Sequence, residues 1–204
     1  VRISKAPNSR GIVIAITIYF LWFGAFCLGM FRMNVWDNLG SACALTILLA
    51  FLWTGLFIIA HDAIHGTVAP GAPRLNNFVG RICAFSYAMF DYKYLNKNHH
   101  KHHRYSSTGK DPDYHDGKNK NLSHWLLKFI SEYMSLKQLA AIGTYYSTLY
   151  FICGIEWINL LFFSLVPSLL SLLQLFYFGT YLPHREPTTG YTNRYRAVSS
   201  NFGT

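Results

Sequence analysis

The chain has 204 residues, 51% of them apolar, 17% aromatic and only 13% charged. Soluble domains carry about 25% charged residues, so this shortage, with a mean hydropathy of +0.18, excludes an ordinary soluble globule and points to a membrane protein. The net charge of +9 suits nucleic acid or an acidic membrane surface, and the placement of the charges decides between them.

Residues 1–10 are polar and basic (Arg2, Lys5, Arg10) and lack a signal-peptide layout. Gly11 to Phe31 is a run of 21 uncharged residues, enough at about 1.5 Å per residue to cross a hydrocarbon core of about 30 Å. After the polar turn Arg32 to Asn38, Leu39 to Ala60 is a second uncharged run of 22, ending at His61. Two such spans form a hairpin that returns His61 to the side of Arg10. From His61 to Gln138 the chain is mostly too polar to span. Within it Phe78 to Phe90 is apolar, but it has 13 residues and carries Arg81, which predicts an interfacial or re-entrant helix. Leu139 to Ile155 is a short apolar run of 17, Glu156 interrupts it, and Trp157 to Leu182 follows with 26 uncharged residues and a kink expected at Pro167. These form a second hairpin turning near Gly154 to Asn159. The expectation is an all-α integral membrane protein of two transmembrane hairpins, about four spans. A histidine-rich cap and an interfacial helix lie on one side, in a single domain over 1–204.

Under this topology Arg32 is the only basic residue on the far side, and the other 17 of 18 Lys and Arg lie with the histidines. That asymmetry predicts a cytoplasmic, or stromal, face for the histidines and removes the need for nucleic acid. The four cysteines, Cys27, Cys43, Cys83 and Cys153, are scattered through apolar runs without a C-x-x-C, so neither a zinc ribbon nor a redox pair is expected.

Four of the nine histidines fall between His99 and His103. On a helix turning about 100° per residue, His99, His102 and His103 share one face, an H-x-x-H-H pattern, while His100 points away. A basic solvated loop would also be His-rich, but three imidazoles on one face suit a transition metal. His61 and His65 lie four apart and share a helical face, with Asp62 between them suited to orient an imidazole from behind. His184 follows the last span. All nine histidines lie on the same proposed side, outside the spans. Five or six imidazoles exceed what one tetrahedral zinc takes and suit two metals with open positions, iron before zinc by ligand type. In Asp111-Pro112-Asp113-Tyr114-His115, ordinary turn chemistry competes with a role for Asp111, Asp113 or His115 in orienting ligands. The aromatics Phe176 to Phe178 suit either an apolar channel or lipid and helix packing.

Three groups of residues carry a family resemblance: Phe57 to Thr67 with its H-D-A-I-H, the H-x-x-H-H of His99 to His103 with Asp111 to His115, and Phe176 to His184 with its Leu-Pro-His. With them the chain, from about Trp53 to Arg196, resembles the β-carotene ketolases of the membrane fatty-acid desaturase and hydroxylase superfamily. The resemblance implies a non-heme di-iron oxygenase using O2 and electrons from a ferredoxin-type donor. Two hydroxylations at C4 of a β-ionone ring would yield the ketone, converting β-carotene to echinenone and canthaxanthin or zeaxanthin to astaxanthin. It implies His61, His65, His99, His102, His103 and His184 as iron ligands, with Asp62 and His115 behind them. The family's third H-x-x-H-H box is expected after a further apolar stretch. None occurs before Thr204, so the sequence is expected to be a piece of a longer chain, inactive by itself.

Two other readings compete. An acyl-lipid desaturase or hydroxylase keeps the chemistry and changes the substrate. A non-catalytic metal-binding or transport protein predicts ionisable residues at mid-membrane, whereas the spans carry no charge.

Overall fold

A computed structural model of the chain describes residues 9–187 and Gly190. The basic residues Arg2, Lys5, Arg194 and Arg196, and the C-terminal end of the expected domain, lie outside the described residues. Among those described, all regular structure is helical: α1 (Arg10–Phe31), α2 (Leu39–Ile64), α3 (Pro73–Ala88), α4 (Tyr92–Tyr105), α5 (Leu122–Tyr133) and α6 (Leu136–Ser147). A last helix, α7, runs over Trp157–His184. The chain divides into two compact units, Val1–Tyr92 with Lys137–Ser171 and Lys93–Leu136 with Leu172–Thr204.

In the first unit α1 and α2 form the expected hairpin. Asn38 opens α2, its side chain accepting the Ser41 N–H at 3.0 Å and so satisfying one of the orphan donors of the first turn. Trp22 and Trp53 meet edge to face at 5.2 Å between the helices. A Cβ on Gly11 would come within 2.5 Å of the Val68 carbonyl oxygen, so the start of α1 and the exit of α2 lie together, as the hairpin requires. With little hydrophobic drive between helices in lipid, small polar side chains and close packing hold them. Thr46 Oγ1 donates to Phe162 O at 2.9 Å, and Thr54 Oγ1 donates to Ser171 Oγ at 3.0 Å. The Trp53 indole donates to Tyr87 O at 2.7 Å and ties α3 to α2. At the far turn, the Asn159 amide donates to Gly29 O at 3.0 Å and Met33 O at 2.8 Å. It supplies donors to carbonyls that the end of α1 leaves open.

Gly29 is the point of closest approach. A Cβ there would stand 2.5 Å from the ring of the fully buried Phe163. Gly29→Ala is therefore expected to lower the melting temperature in detergent, overpacking of this kind costing about 1–3 kcal/mol. Gly24→Ala, whose Cβ meets nothing within 4 Å, is the control and should hold or raise it.

Among the described residues, three helices are long and apolar enough to cross a membrane: Arg10–Phe31, Leu39–Ile64 and Trp157–His184, and the protein is a membrane protein. The fourth run expected to span is helical too, α6 continuing through a π turn at Thr148–Ile152. At about 1.5 Å per residue it falls short of a core of about 30 Å. It nonetheless pairs back on the first part of α7, Tyr146 OH lying 3.0 Å from Ser164 Oγ across a turn at Gly154, whose φ of +67° favours glycine. The kink expected at Pro167 takes the form of a π segment at Leu161–Leu165 just before it. Proline lacks the amide that would bond back and crowds the carbonyl four residues earlier. The apolar run from Phe78 lies in α3, which Pro73 opens at the first turn and whose 16 residues are too few to cross.

In the second unit, Tyr114, Trp125 and Phe176 form a buried cluster with Leu126, Phe129 and Tyr181 packed against it. Of the three consecutive aromatics, Phe176 packs against Trp125 and Phe129, while Tyr177 and Phe178 are exposed. Helix packing and an outward face account for all three.

Candidate metal centre

Helix α4 forms from Tyr-Lys-Tyr-Leu-Asn-Lys-Asn-His-His-Lys-His-His-Arg-Tyr without proline, glycine or acidic residues. It presents His99, His102 and His103 together. The His99 and His103 Nε2 atoms face each other at 2.9 Å. Ring centroids lie 6.2 Å apart for His99 and His102, and 5.5 Å for His102 and His103. His184, at the end of α7 and buried, meets the His102 ring edge to face at 4.9 Å. Four imidazoles thus converge within the second unit. His100 falls on another face by the helical period and is exposed, as is His103.

What holds them is the turn after α4. Tyr105 O accepts from the Thr108 N–H, and Thr108 O from the Asp111 N–H, folding the chain back under the helix. Asp111, 2% exposed, then receives three donors. The Ser107 N–H reaches Oδ2 at 2.8 Å and the Asp113 N–H reaches Oδ1 at 2.9 Å. His102 Nδ1 lies 2.9 Å from Oδ1 and 3.1 Å from Oδ2. A proton on Nδ1 facing this carboxylate leaves His102 Nε2 as the free ligand atom. Burial alone would lower the His102 pKa, but Asp111 and Asp113 outweigh it and the net shift is upward.

Ser107 has a left-handed φ of 55°, a conformation uncommon outside glycine. It supplies both the N–H to Asp111 and a hydroxyl 3.0 Å from His184 Nδ1. Helix α5 braces the turn from below. Lys128 Nζ donates to the carbonyls of Asp111 at 3.2 Å and Pro112 at 3.0 Å, and the Trp125 indole donates to Asp113 O at 2.6 Å. The Tyr133 hydroxyl donates to the Asp113 carboxylate. Burial raises the Asp113 pKa, against the lowering influence of His102 and Tyr133.

The donor set fits a divalent transition metal. Two imidazole nitrogens facing at 2.9 Å cannot both carry protons, and the spacing suits neighbouring ligands of one ion bound at about 2.0–2.1 Å. His102, Asp111 and Asp113 also offer ligand atoms within 4.8 Å of one another. Both Asp111 oxygens already accept backbone amides, however, so the carboxylates read as supports for the imidazole.

In the first unit, His61 and His65 meet edge to face at the end of α2 with ring centroids 4.7 Å apart, and His61 Nδ1 lies 3.1 Å from Asp62 Oδ1. His115 lies in the second unit. Its Nδ1 accepts the Gly117 N–H at 2.9 Å, and its ring packs on Tyr114 and Trp125. It lines a cavity of about 340 Å³ with Lys120, Trp125, Arg185 and Glu186. Burial, then Lys120, lowers its pKa. The contacts to His102 and His184 come from Asp111 and Ser107. Asp111 was one of three candidates in its turn, and Ser107, Lys128 and Tyr133 carried no signal in the sequence.

The fatty acid desaturase family model matches residues 39–139, which include both histidine boxes and Asp111 but not His184. The chain is 38% identical over 206 residues to a β-carotene ketolase of Haematococcus lacustris, covering 89% of this chain and 64% of that protein. It is 37% identical to a zeaxanthin 4-ketolase of Chlamydomonas reinhardtii, over 94% of this chain and 45% of that one. A β-carotene ketolase of Paracoccus sp. (strain PC1) is 35% identical over 95% of this chain and 77% of its own length. The chain thus spans less than two thirds of the two algal relatives. No solved structure matches. A histidine-bearing helix braced by an Asp-Pro-Asp turn, inside a sequence aligned along three quarters of a bacterial ketolase, leaves one family to which the chain belongs, the β-carotene ketolases with their fatty acid desaturase domain.

Proposed function

We propose that the complete protein is a carotenoid 4-ketolase, an O2-dependent oxidoreductase acting on the C4 methylene of a β-ionone ring. The observation that carries the reading is the convergence of His99, His102, His103 and His184, with the Nδ1 atoms of His102 and His184 engaged by Asp111 and Ser107. Relatives named for β-carotene and for zeaxanthin supply the substrate class. The ligand set proposed for two non-heme irons is His61, His65, His99, His102, His103 and His184. His61 and His65 enter it through their sequence motif and their own local geometry. When bound, the iron pair supplies the activation of dioxygen.

Each hydroxylation consumes one O2, two electrons and two protons, converting C–H to C–OH and releasing one water. A second at the same carbon gives a geminal diol, which loses water to the ketone. The electrons come from a ferredoxin-type donor. The chain's own residues orient. Asp111 holds the Nδ1 proton of His102 and turns Nε2 outward, Ser107 does the corresponding work for His184, and Asp62 sits in that position on His61. We place the whole of 1–204 in a single membrane-embedded domain, with the histidines on the cytoplasmic or stromal side because nearly all Lys and Arg accompany them. His115 is proposed to act only indirectly, by packing under the Asp111 turn.

Expressing the complete gene in cells that accumulate β-carotene tests this. Echinenone and canthaxanthin are the expected pigments. Unchanged pigment with altered fatty acids would favour an acyl-lipid desaturase or hydroxylase instead. Metal uptake without any oxygenated product would favour a transporter.

A further inference from the structure

The reaction proposed above needs electrons from outside the chain, and α4 carries a surface that nothing so far has used. Lys93, Lys97, Lys101 and Arg104 are exposed, as is His100. At about 100° per residue these five positions fall within roughly 100° of arc. His99, His102 and His103 occupy the opposite side. The helix contains no acidic residue, and like charges four apart disfavour a helix, so the stripe is not there to stabilise α4. A solvated face would tolerate such charges, but it would not concentrate them on the helix that also bears the metal-binding face.

We infer that the Lys93–Lys97–Lys101–Arg104 stripe is the docking surface for a small acidic one-electron carrier protein, the class that supplies this oxygenase with reducing equivalents. The inference rests on the ketolase reading. A carrier seated there is separated from the imidazoles by about one helix diameter, roughly 10 Å. Charge complementarity would steer encounter and make it sensitive to salt. An anionic lipid surface would attract the same charges. A helix lying on a bilayer, however, buries an apolar face in it, and here Tyr92, Leu95 and Asn98 are buried within the protein.

The test uses the complete protein with iron, a purified acidic [2Fe–2S] ferredoxin, and the variants K97E/K101E and K97Q/K101Q. The expected result is a rise of about tenfold in KM for ferredoxin in K97E/K101E, a smaller rise in K97Q/K101Q, and a flatter salt dependence than wild type. Iron content, and the rate with dithionite as reductant, should match wild type. An unchanged KM overturns the proposal. So does weakened binding to vesicles of phosphatidylglycerol with KM unaltered, because the stripe would then be a lipid contact. Ferredoxin-driven and dithionite-driven rates falling together would also overturn it, as damage to the metal site. Direct titration of ferredoxin onto the protein separates the two readings. Charge-dependent binding by a wild-type protein that makes no ketone would uphold this surface and sink the ketolase assignment.

Discussion

Asp111→Asn is expected to cut iron content and ketone formation by about 10- to 100-fold, the range typical of residues that orient metal ligands. Three donors converge on this buried carboxylate, the amides of Ser107 and Asp113 and His102 Nδ1. Asparagine keeps the shape but brings one acceptor and one donor, so at least one of the three is left facing another N–H. A buried unsatisfied donor costs about 1–3 kcal/mol, and the apoprotein should melt earlier as well. Metal analysis of purified protein together with thermal unfolding in detergent reads both effects. Asp113→Asn should do less, since the Asp113 carboxylate stands 3.5 Å from His102 Nδ1 and is held chiefly by Tyr133. Wild-type iron in the Asp111 variant would remove this carboxylate from the centre.

The second large effect is expected from neighbours in sequence that point apart. His99→Ala should abolish iron retention and ketone formation, a greater loss than the 10- to 100-fold expected of an orienting residue. It removes one of two nitrogens facing each other at 2.9 Å. His100→Ala, on the other face of the helix, should leave both near wild type. A merely basic, solvated segment would treat the two alike. Equal iron contents and equal pigment yields from the two variants in carotene-producing cells would therefore end the metal-centre reading for α4.

The long spans and the two faces of α4 were legible because both follow from one-dimensional rules. An unsatisfied backbone is excluded from lipid, so uncharged runs of sufficient length become helices. The helical period then separates His99, His102 and His103 from His100 whatever surrounds them. The shortfall of the third run was also visible in its length, 17 residues from Leu139 to Ile155. Its π turn was not, because hydrogen-bond register at a helix end depends on what packs beside it.

The supports of the centre were a different matter. The residues of the turn left Asp111, Asp113 and His115 open as alternatives, and the family resemblance singled out His115. Only the folded turn separated them. Asp111 is buried under two backbone amides, Asp113 is drawn to Tyr133, and His115 turns to Gly117 and Trp125. Ser107 had no signal at all, because its left-handed backbone and its contact with a residue 77 positions away appear only when α4 and the end of α7 meet. The sequence by itself determined the long apolar helices, which imidazoles share a face on a helix, and the family. Tertiary structure alone decided how those imidazoles are oriented. Ligand orientation depends on hydrogen bonds between residues distant in the chain, and their partners are selected by packing, which periodicity does not encode.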